Sequence, residues 1–361
     1  MKFFTMSTVV CRRLCPWFRL GTLVDQAGDP VPTSRTPYAG AMSAGAIRSG
    51  TTPRTTAWAD GVASTIEITG DAWSWLVLRE ASVCAITRFD SFQRHLGIAR
   101  STLNARLEAL CAGGLLLKTN RIEAAKPEYR LTSAGAEFTP CLLMAMTWGD
   151  RWLPAPDGPP LRVVHIGCGS TEGVQMRCLE CQREVNAREV EFSEIPPAPV
   201  LGVKARARTP DLDLLERTGL CSIARTLKVT GDRWSSLVLR GTFFGLRRFD
   251  QFEQALCIAP NILSQRLARL VALGVLRREQ YADRPPRHEY RLTAKGLDLY
   301  PMYLAMLAWG TRWTNANPDG LRLWHTACGQ RLVPVACCAA CGEQVDRASL
   351  LLHSRSGHEH L

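Results

Sequence analysis

Residues 70–79 read GDAWSWLVLR, and residues 231–240 read GDRWSSLVLR. The motif RFD follows each stretch, at 88–90 and at 248–250, and further motifs recur in the same order. The chain therefore contains one module of about 150 residues twice in tandem. This period is too long for a solenoid repeat, and each copy is large enough to bury its own core.

Each copy opens with an apolar-periodic stretch, at 66–81 and 223–244, which predicts a core helix. Two shorter amphipathic helices follow, and the second of them carries leucines at helical spacing. These leucines are Leu103, Leu107 and Leu110 in copy one and Leu263, Leu267 and Leu270 in copy two.

The segments LLLK at 115–118 and VLRR at 275–278, which follow glycines, predict a strand in each copy. An EYRLT strand follows both after a charged segment that contains proline, so we expect a hairpin with a long loop. A final helix is predicted at about 134–152 and 294–313. Three helices, a hairpin and a closing helix make a winged helix-turn-helix, and the fold class is α+β, mainly helical, with two such domains in tandem.

Composition excludes several classes of protein. The 361 residues are 46% hydrophobic and 21% charged, which is ordinary for a globular protein, and the formal net charge of +11 favours a polyanionic partner. No run approaches the roughly 18 apolar residues that a membrane span needs, and Arg12 and Arg13 interrupt any signal-peptide core. We expect a cytoplasmic protein that has no membrane partner.

Fourteen cysteines fall in a chain without an export signal, which favours metal binding over disulfides. An HxxC pair and a CxxC pair follow each predicted winged helix, the spacing of a tetrahedral ribbon site. The predicted ligands are His165, Cys168, Cys178 and Cys181 in copy one and His325, Cys328, Cys338 and Cys341 in copy two. Two structural zinc ions per chain are predicted, one within each copy; reduced core cysteines are the alternative, and Cys337 could replace its neighbour as a ligand.

These elements divide the chain into seven segments. We expect a disordered leader at 1–57, winged helix-turn-helix domains at 58–153 and 213–314, zinc-ribbon-like segments at 154–191 and 315–352, a linker at 192–212 and a tail at 353–361.

The motifs together resemble the HxlR-type bacterial transcriptional regulators, relatives of the MarR group. Copy two carries the resemblance with GDRWSSLVLR at 231–240, RFDQF at 248–252, LSQRL at 263–267 and RPPRHEYRLT at 284–293. Copy one departs from the pattern at 121–129, where its wing lacks the paired prolines and one arginine. The resemblance implies pairing through the first and last helices, either as a homodimer or as a pseudo-dimer of the two copies in one chain.

In a helix-turn-helix the second helix enters the major groove of DNA. The side chains predicted to face the bases are Arg100, Ser101 and Asn104 in copy one and Asn261, Ser264 and Gln265 in copy two. Asn and Gln can contact adenine and Arg can contact guanine, although any solvated helix face carries such residues. Arg106 and Arg266 could hold phosphate or brace the fold.

The wing of copy two carries Arg278, Arg284 and Arg287 near prolines that stiffen the loop, and copy one has Lys126 there. Phosphate contact is predicted for these side chains, with surface ion pairs as the alternative.

The resemblance also implies a redox- or electrophile-sensing thiol at Cys221, where copy one has Asp60. An inert thiol is the alternative. The remaining cysteines outside the tails of the copies and the leader lie among apolar residues and are predicted to be core residues: Cys84, Cys111, Cys141 and Cys257.

The sequence thus favours a regulator that binds specific double-stranded DNA. A rival is a zinc-ribbon adaptor of the transcription machinery that uses its winged helices for protein contacts, and salt-dependent binding to duplex DNA distinguishes the two. An enzyme is not expected, because neither copy offers a nucleophile–histidine pair, a phosphate loop or an open metal site.

Overall fold

The computed structural model describes residues 60–119, 127–156, 158–159, 161–192, 221–284, 286–314, 316 and 321–354. The predicted leader, Lys126, nearly all of the predicted linker and residues 355–361 of the tail lie outside this part of the chain. Within it, every helix is too short or too polar to cross a membrane.

Copy one contains helices joined by short turns, with one hairpin among them. The helices are α1 (Gly61–Thr69), α2 (Ala72–Val83), α3 (Phe89–Leu96), α4 (Arg100–Ala112), α5 (Ser133–Ala136) and α6 (Thr139–Trp152). The hairpin strands are β1 (Leu116–Thr119) and β2 (Glu128–Leu131), and the tail strands are β3 (Leu161–His165), β4 (Val174–Cys178) and β5 (Val190–Phe192).

Copy two repeats this order. Its helices are α7 (Ser222–Thr230), α8 (Arg233–Phe243), α9 (Phe249–Leu256), α10 (Pro260–Ala272), α11 (Ala294–Leu297) and α12 (Tyr300–Trp313). The hairpin strands are β6 (Leu276–Asp283) and β7 (Pro286–Leu292), and the tail strands are β8 (Leu323–His325), β9 (Gln330–Arg331), β10 (Pro334–Cys338) and β11 (Leu350–Ser354).

The opening helix of each copy is two helices, so the single helices predicted at 66–81 and 223–244 are wrong. A Cβ atom at Gly70 would lie 2.2 Å from the carbonyl oxygen of Ile66, so only glycine allows this close turn. Asp71 then starts α2 by accepting a hydrogen bond from the backbone N–H of Ser74 at 3.2 Å. The same turn recurs at 231–232 in copy two.

The closing helix is also divided, into α5 and α6 in copy one and α11 and α12 in copy two. The threonine before each short helix caps it, and Pro140 and Pro301 lie in the first turn of the longer one. Proline fits a first turn because its missing N–H has no partner there. A periodic pattern alone does not reveal this second start.

The core of each copy lies under α4 or α10, the helices predicted to enter the major groove, which we call the recognition helices. All six leucines predicted on α4 and α10 are fully buried, and so are Phe92 and Phe252 from the preceding helices. Among the four predicted core cysteines, Cys141 is buried and Cys111 is half-buried. Cys84 and Cys257 are exposed, so their assignment to the core was wrong; each follows the last residue of a helix, where the chain leaves the core.

The two copies pack against each other through equivalent contacts, with α1 on α12 and α6 on α7. The hydroxyl of Thr65 donates to the carbonyl oxygen of Met306 at 2.8 Å, and that of Thr226 donates to the carbonyl oxygen of Ala145 at 2.6 Å. Each contact is therefore made twice with the copies exchanged. We call the axis that relates the copies the pseudo-two-fold.

Tryptophans from the closing helices reinforce this interface. The indole N–H of Trp148 donates to the carbonyl oxygen of Lys295 at 2.9 Å, and that of Trp309 donates to the carbonyl oxygen of Ala134 at 2.7 Å. Both indoles are buried, and their polar atoms are satisfied by the other copy.

The tail strands pair between the copies. Strand β4 is antiparallel to β10, β3 to β11 and β5 to β8. Two separate ribbon-like segments, each closed within its own copy, were expected; the strands instead build one interwoven unit. The ladder hydrogen bonds of β3, β4, β5, β10 and β11 therefore depend on the presence of the other tail.

Candidate nucleic-acid interface and metal centres

The recognition helices α4 and α10 place one polar face in solvent. In copy one Arg100, Ser101 and Asn104 are exposed, and in copy two so are Asn261, Ser264 and Gln265. The buried leucines on the opposite face fix the rotation of each helix. All six side chains are accessible to solvent, and their contact with bases stays a prediction.

Two contacts organise the face of α4. The guanidinium of Arg100 stacks over the ring of Phe89, 4.9 Å from its centroid. The side-chain amide of Asn104 donates to Oε1 of Glu108 at 2.8 Å. Copy two has Ala268 in place of Glu108, so its polar side chains carry no acidic neighbour one turn later. The two faces differ in charge as well as in residue type.

Arg106 and Arg266 turn inward from these helices. Nε of Arg106 lies 2.8 Å from Oδ1 of Asp71, and Nε of Arg266 lies 2.9 Å from Oδ1 of Asp232. Their side chains are 19% and 21% exposed, too enclosed to reach a phosphate on the outside. Of the two roles open from the sequence, the geometry favours bracing.

The wing of copy two borders a cationic cleft of about 470 Å³ at the start of α9. Its lining includes Arg248, Arg278 and Arg287, with His288 and Tyr281 beside them. Arg248 was not among the predicted site residues, although the recurrence of RFD in both copies is a signal that could have identified it.

Some of this positive charge is already paired. Nε of Arg248 lies 3.7 Å from Oδ1 of Asp250, and Nη2 of Arg278 lies 2.9 Å from Nδ1 of His288. Arg284 and Arg287 are exposed at the tip of the hairpin. The tip therefore presents cations to solvent, as a phosphate contact requires.

The eight predicted metal ligands form two groups, and each group takes one ligand pair from each copy. The first contains His165, Cys168, Cys338 and Cys341, and the second contains Cys178, Cys181, His325 and Cys328. The prediction of a complete site within each copy was wrong. Strand pairing across the copies is the reason, because β10 runs beside β4 and carries its CxxC pair to the HxxC pair of copy one.

The geometry suits a tetrahedral ion. In the first group Nδ1 of His165 lies 3.3 Å from Sγ of Cys168 and 3.4 Å from Sγ of Cys341, and Sγ of Cys168 lies 3.7 Å from Sγ of Cys338. The second group shows corresponding separations of 3.3 to 4.0 Å. Ligands bound at about 2.0 to 2.3 Å from one zinc ion lie this far apart from one another.

The remaining nitrogen of each histidine faces a carboxylate of the other copy. Nε2 of His165 lies 3.7 Å from Glu343, and Nε2 of His325 lies 3.9 Å from Glu189. These distances are too long for hydrogen bonds, but a carboxylate on this side of the ring favours ligation through Nδ1. Cys337 is buried but belongs to neither group, because neighbouring residues on a strand point to opposite faces.

Cys221 is buried at the start of α7 and lies beside Arg79 of copy one. Burial opposes the charge of the Arg79 guanidinium, but Cys221 and Glu80 raise the pKa of Arg79 above its ordinary value. At the equivalent place Asp60 forms a buried ion pair with Arg240, with Nε 2.9 Å from Oδ2.

Comparison with known proteins gives two family matches and several relatives. The HxlR-like helix-turn-helix family matches residues 68–157 and again residues 229–318. An uncharacterized HTH-type transcriptional regulator of Mycobacterium tuberculosis is 41% identical over 135 residues, which are 37% of this chain and 85% of that protein. The uncharacterized HTH-type transcriptional regulator YybR of Bacillus subtilis is 36% identical over 108 residues, which are 29% of this chain and 82% of that protein.

A solved structure whose title reads "putative transcription factor", from Pseudomonas aeruginosa, is 40% identical, covers 33% of this chain and 83% of its own, and has a TM-score of 0.25.

Proposed function

The chain belongs to the HxlR-like helix-turn-helix family, and from this premise we propose that it is a transcription regulator that binds specific sites on double-stranded DNA through two winged helices in one chain. The observation that carries the proposal is the pair of recognition helices, each fixed by buried leucines and each with an exposed polar face. Regulator relatives that match a single module support it.

Base contacts come from the exposed faces of α4 and α10. Asn261 and Gln265 offer the donor and acceptor pair that reads adenine in the major groove, with Ser264 between them. In copy one Arg100 suits guanine, with Ser101 beside it, while Asn104 is partly engaged by Glu108. The two half-sites therefore differ in sequence.

Phosphate contacts come from the wings. Arg278, Arg284 and Arg287 lie along or at the tip of the β6–β7 hairpin, and Arg248 completes the cleft at its base. Such contacts fix register on the duplex without reading its sequence. Lys126 is the proposed counterpart in copy one, with a weaker contribution because that wing has fewer cations.

The two copies act as an intramolecular pseudo-dimer. The support is the interface in which the helix packing and the threonine and tryptophan hydrogen bonds occur twice with the copies exchanged, as in an isologous dimer. One chain then presents both recognition helices, and the unequal faces favour an asymmetric operator.

The cofactor proposed is zinc, with two structural ions per chain. Three thiolates and an imidazole are the donor set that zinc prefers, and four protein ligands leave no position for a reacting water. When bound, each ion links the two copies, because its ligands come from both. Binding energy then adds to folding energy for the interwoven tails.

Cys221 remains the proposed sensing thiol. The thiol lies beside the guanidinium of Arg79, at the interface between the copies. Oxidation of a buried thiol at an interface between copies would disturb the packing on which the two recognition helices depend.

Selection of bound sequences from random duplex DNA tests the regulator. We expect one enriched site with two unequal halves, and binding that weakens with salt as counterions are released. A matched pair of variants sharpens the test: Asn261→Ala on the proposed reading face, and Glu172→Ala on an exposed turn of the tail. Only the first should change the selected sequence. Absence of any enriched sequence, together with salt-independent binding, would contradict the proposal and favour the adaptor.

A further inference from the structure

The N-termini of α2 and α8 meet at the pseudo-two-fold. Asp71 of copy one and Asp232 of copy two form an antiparallel bridge, and the N–H of Ala72 donates to the carbonyl oxygen of Gly231 at 2.9 Å. These residues belong to the GD motifs that begin the two repeats. The first residues of both helices are therefore held against each other by backbone contacts.

The same two aspartates hold the recognition helices. Arg106 reaches from α4 to Asp71, and Arg266 reaches from α10 to Asp232, at 2.8 and 2.9 Å. The aspartate side chains are only 17% and 10% exposed, so salt screens these pairs less than it screens pairs on the open surface.

Each aspartate also caps its helix, which limits its own freedom. Asp71 accepts from the hydroxyl of Ser74 at 2.6 Å, and Asp232 accepts from the hydroxyl of Ser235 at 2.5 Å. The cap fixes the orientation of each carboxylate. Arg266 donates a hydrogen bond from Nε to Oδ1 of Asp232, whereas Arg106 makes an ion pair with Asp71 that lacks hydrogen-bond geometry. A continuous path of short contacts then runs from one recognition helix to the other.

Copy two has an additional arginine contact between its recognition helix and Asp232. Arg269, which is Ala109 in copy one, lies 3.8 Å from Asp232 and donates to the carbonyl oxygen of Lys228 at 2.6 Å. The recognition helix of copy two is thereby tied to α7 as well as to α8.

We propose that Arg106, Asp71, Asp232 and Arg266 are positioning residues that fix the separation and rotation of the two recognition helices, and so determine which spacing of DNA half-sites the protein accepts. In two-fold helix-turn-helix proteins this separation sets the half-site spacing. None of the four needs to touch DNA in this role. The inference rests on the proposed function and adds a specificity determinant to it.

The test uses Asp71→Asn combined with Asp232→Asn in the full chain. Asparagine caps a helix as well as aspartate does, so both helices keep their starts while the ion pairs lose their charge. Binding is measured on duplexes whose half-sites are moved apart or together one base pair at a time, and on a duplex with a single half-site. Asp298→Asn is the control, because it removes an ion pair between the copies, with Arg151, that involves neither recognition helix.

We expect the affinity for the single half-site to stay within about two-fold of the wild type, and the discrimination between the preferred spacing and its neighbours to fall about five-fold or more. The control should keep the wild-type spacing preference. If the double variant does not fold, Arg106→Gln with Arg266→Gln breaks the same contacts and leaves both caps intact.

Folded variants with unchanged spacing discrimination would overturn the positioning role alone. A wild-type protein that binds no duplex would instead overturn the proposed function, so the two failures are distinguishable.

Discussion

The two copies share a fold but place their carboxylates differently around equivalent buried arginines. Arg240 of copy two pairs with Asp60 from the start of α1, across the interface. Arg79 of copy one meets Cys221 there instead, and pairs with its own neighbour Glu80, where copy two has Gly241. One side is an ion pair between the copies and the other is a pair within one copy beside a thiol. Duplicated modules can therefore diverge in chemistry while the two equivalent buried arginines each keep a carboxylate partner.

The largest expected change is in the zinc content of the protein when ligands of the shared sites are replaced. Cys168→Ser with Cys338→Ser removes ligands of one proposed site, so the purified protein should retain one zinc ion. Cys168→Ser with Cys178→Ser removes one ligand from each site and should lose both ions, although both changes lie in copy one. Metal analysis under reducing conditions measures the ratio. The reverse result would mean that each copy closes its own site.

The second prediction compares how much each of the two arginine environments contributes to the free energy of unfolding. Asp60→Asn keeps the cap of α1 but leaves Arg240 buried without its carboxylate, which should lower the free energy of unfolding by about 3 kcal/mol. Cys221→Ser at the equivalent place should lower it by less than about 1 kcal/mol. Urea unfolding of both variants provides the comparison. Equal losses would show that the copies do not differ here.

The third effect concerns base reading. Asn261→Ala should relax the preference at one or two base pairs and weaken specific binding by about 1 to 3 kcal/mol. Asn104→Ala should do less, because Glu108 already engages the side-chain amide of Asn104. Binding to duplexes with single base changes in each half measures both. A palindromic footprint with equal losses would make the halves equivalent.

The fourth effect lies in the wings. Arg284→Ala should weaken binding to all sequences alike and reduce the salt slope by about one unit. Lys126→Ala should change the slope less, since the wing of copy one is less basic. Titrations at several salt concentrations give the slopes. A change in sequence preference with Arg284→Ala would assign that side chain to the bases.

The smallest effect is expected from Cys221 under oxidation. Mild peroxide should weaken DNA binding, and Cys221→Ser should remove that response while leaving binding in reducing buffer unchanged. Exposed Cys257, replaced by Ser, serves as the control. A response that persists in Cys221→Ser would move the sensing to another thiol.

Much of the fold could be predicted because periodicity and repeated motifs are local signals. The leucines of α4 and α10, the hairpins and the exposed recognition faces all follow from such patterns. The turn at Gly70 was missed because the apolar period continues through it, although a Gly-Asp pair before an apolar run is a start signal.

Local sequence patterns do not determine how the metal-ligand pairs combine into sites. All eight ligand types and spacings were visible, but spacing along the chain cannot say which HxxC pair meets which CxxC pair when the chain contains two of each. The partner is decided by strand pairing between distant segments. Arg106 shows the same limit, because its role depends on Asp71, which is far away in the sequence.

Because the tails are interwoven, the ligands of each metal site are synthesised at two different times during translation. Cys168 and the partner Cys338 that faces it are 170 residues apart. At about 5 to 20 residues per second, the first ligand pair leaves the ribosome roughly 10 to 30 s before the second has been made. During that interval the nascent chain holds four unshielded ligands from its first tail, open to wrong metals and to oxidation. Each site can close only after its ligands from the second tail have left the ribosome, so synthesis of that tail decides when the first tail acquires its full set of ligands.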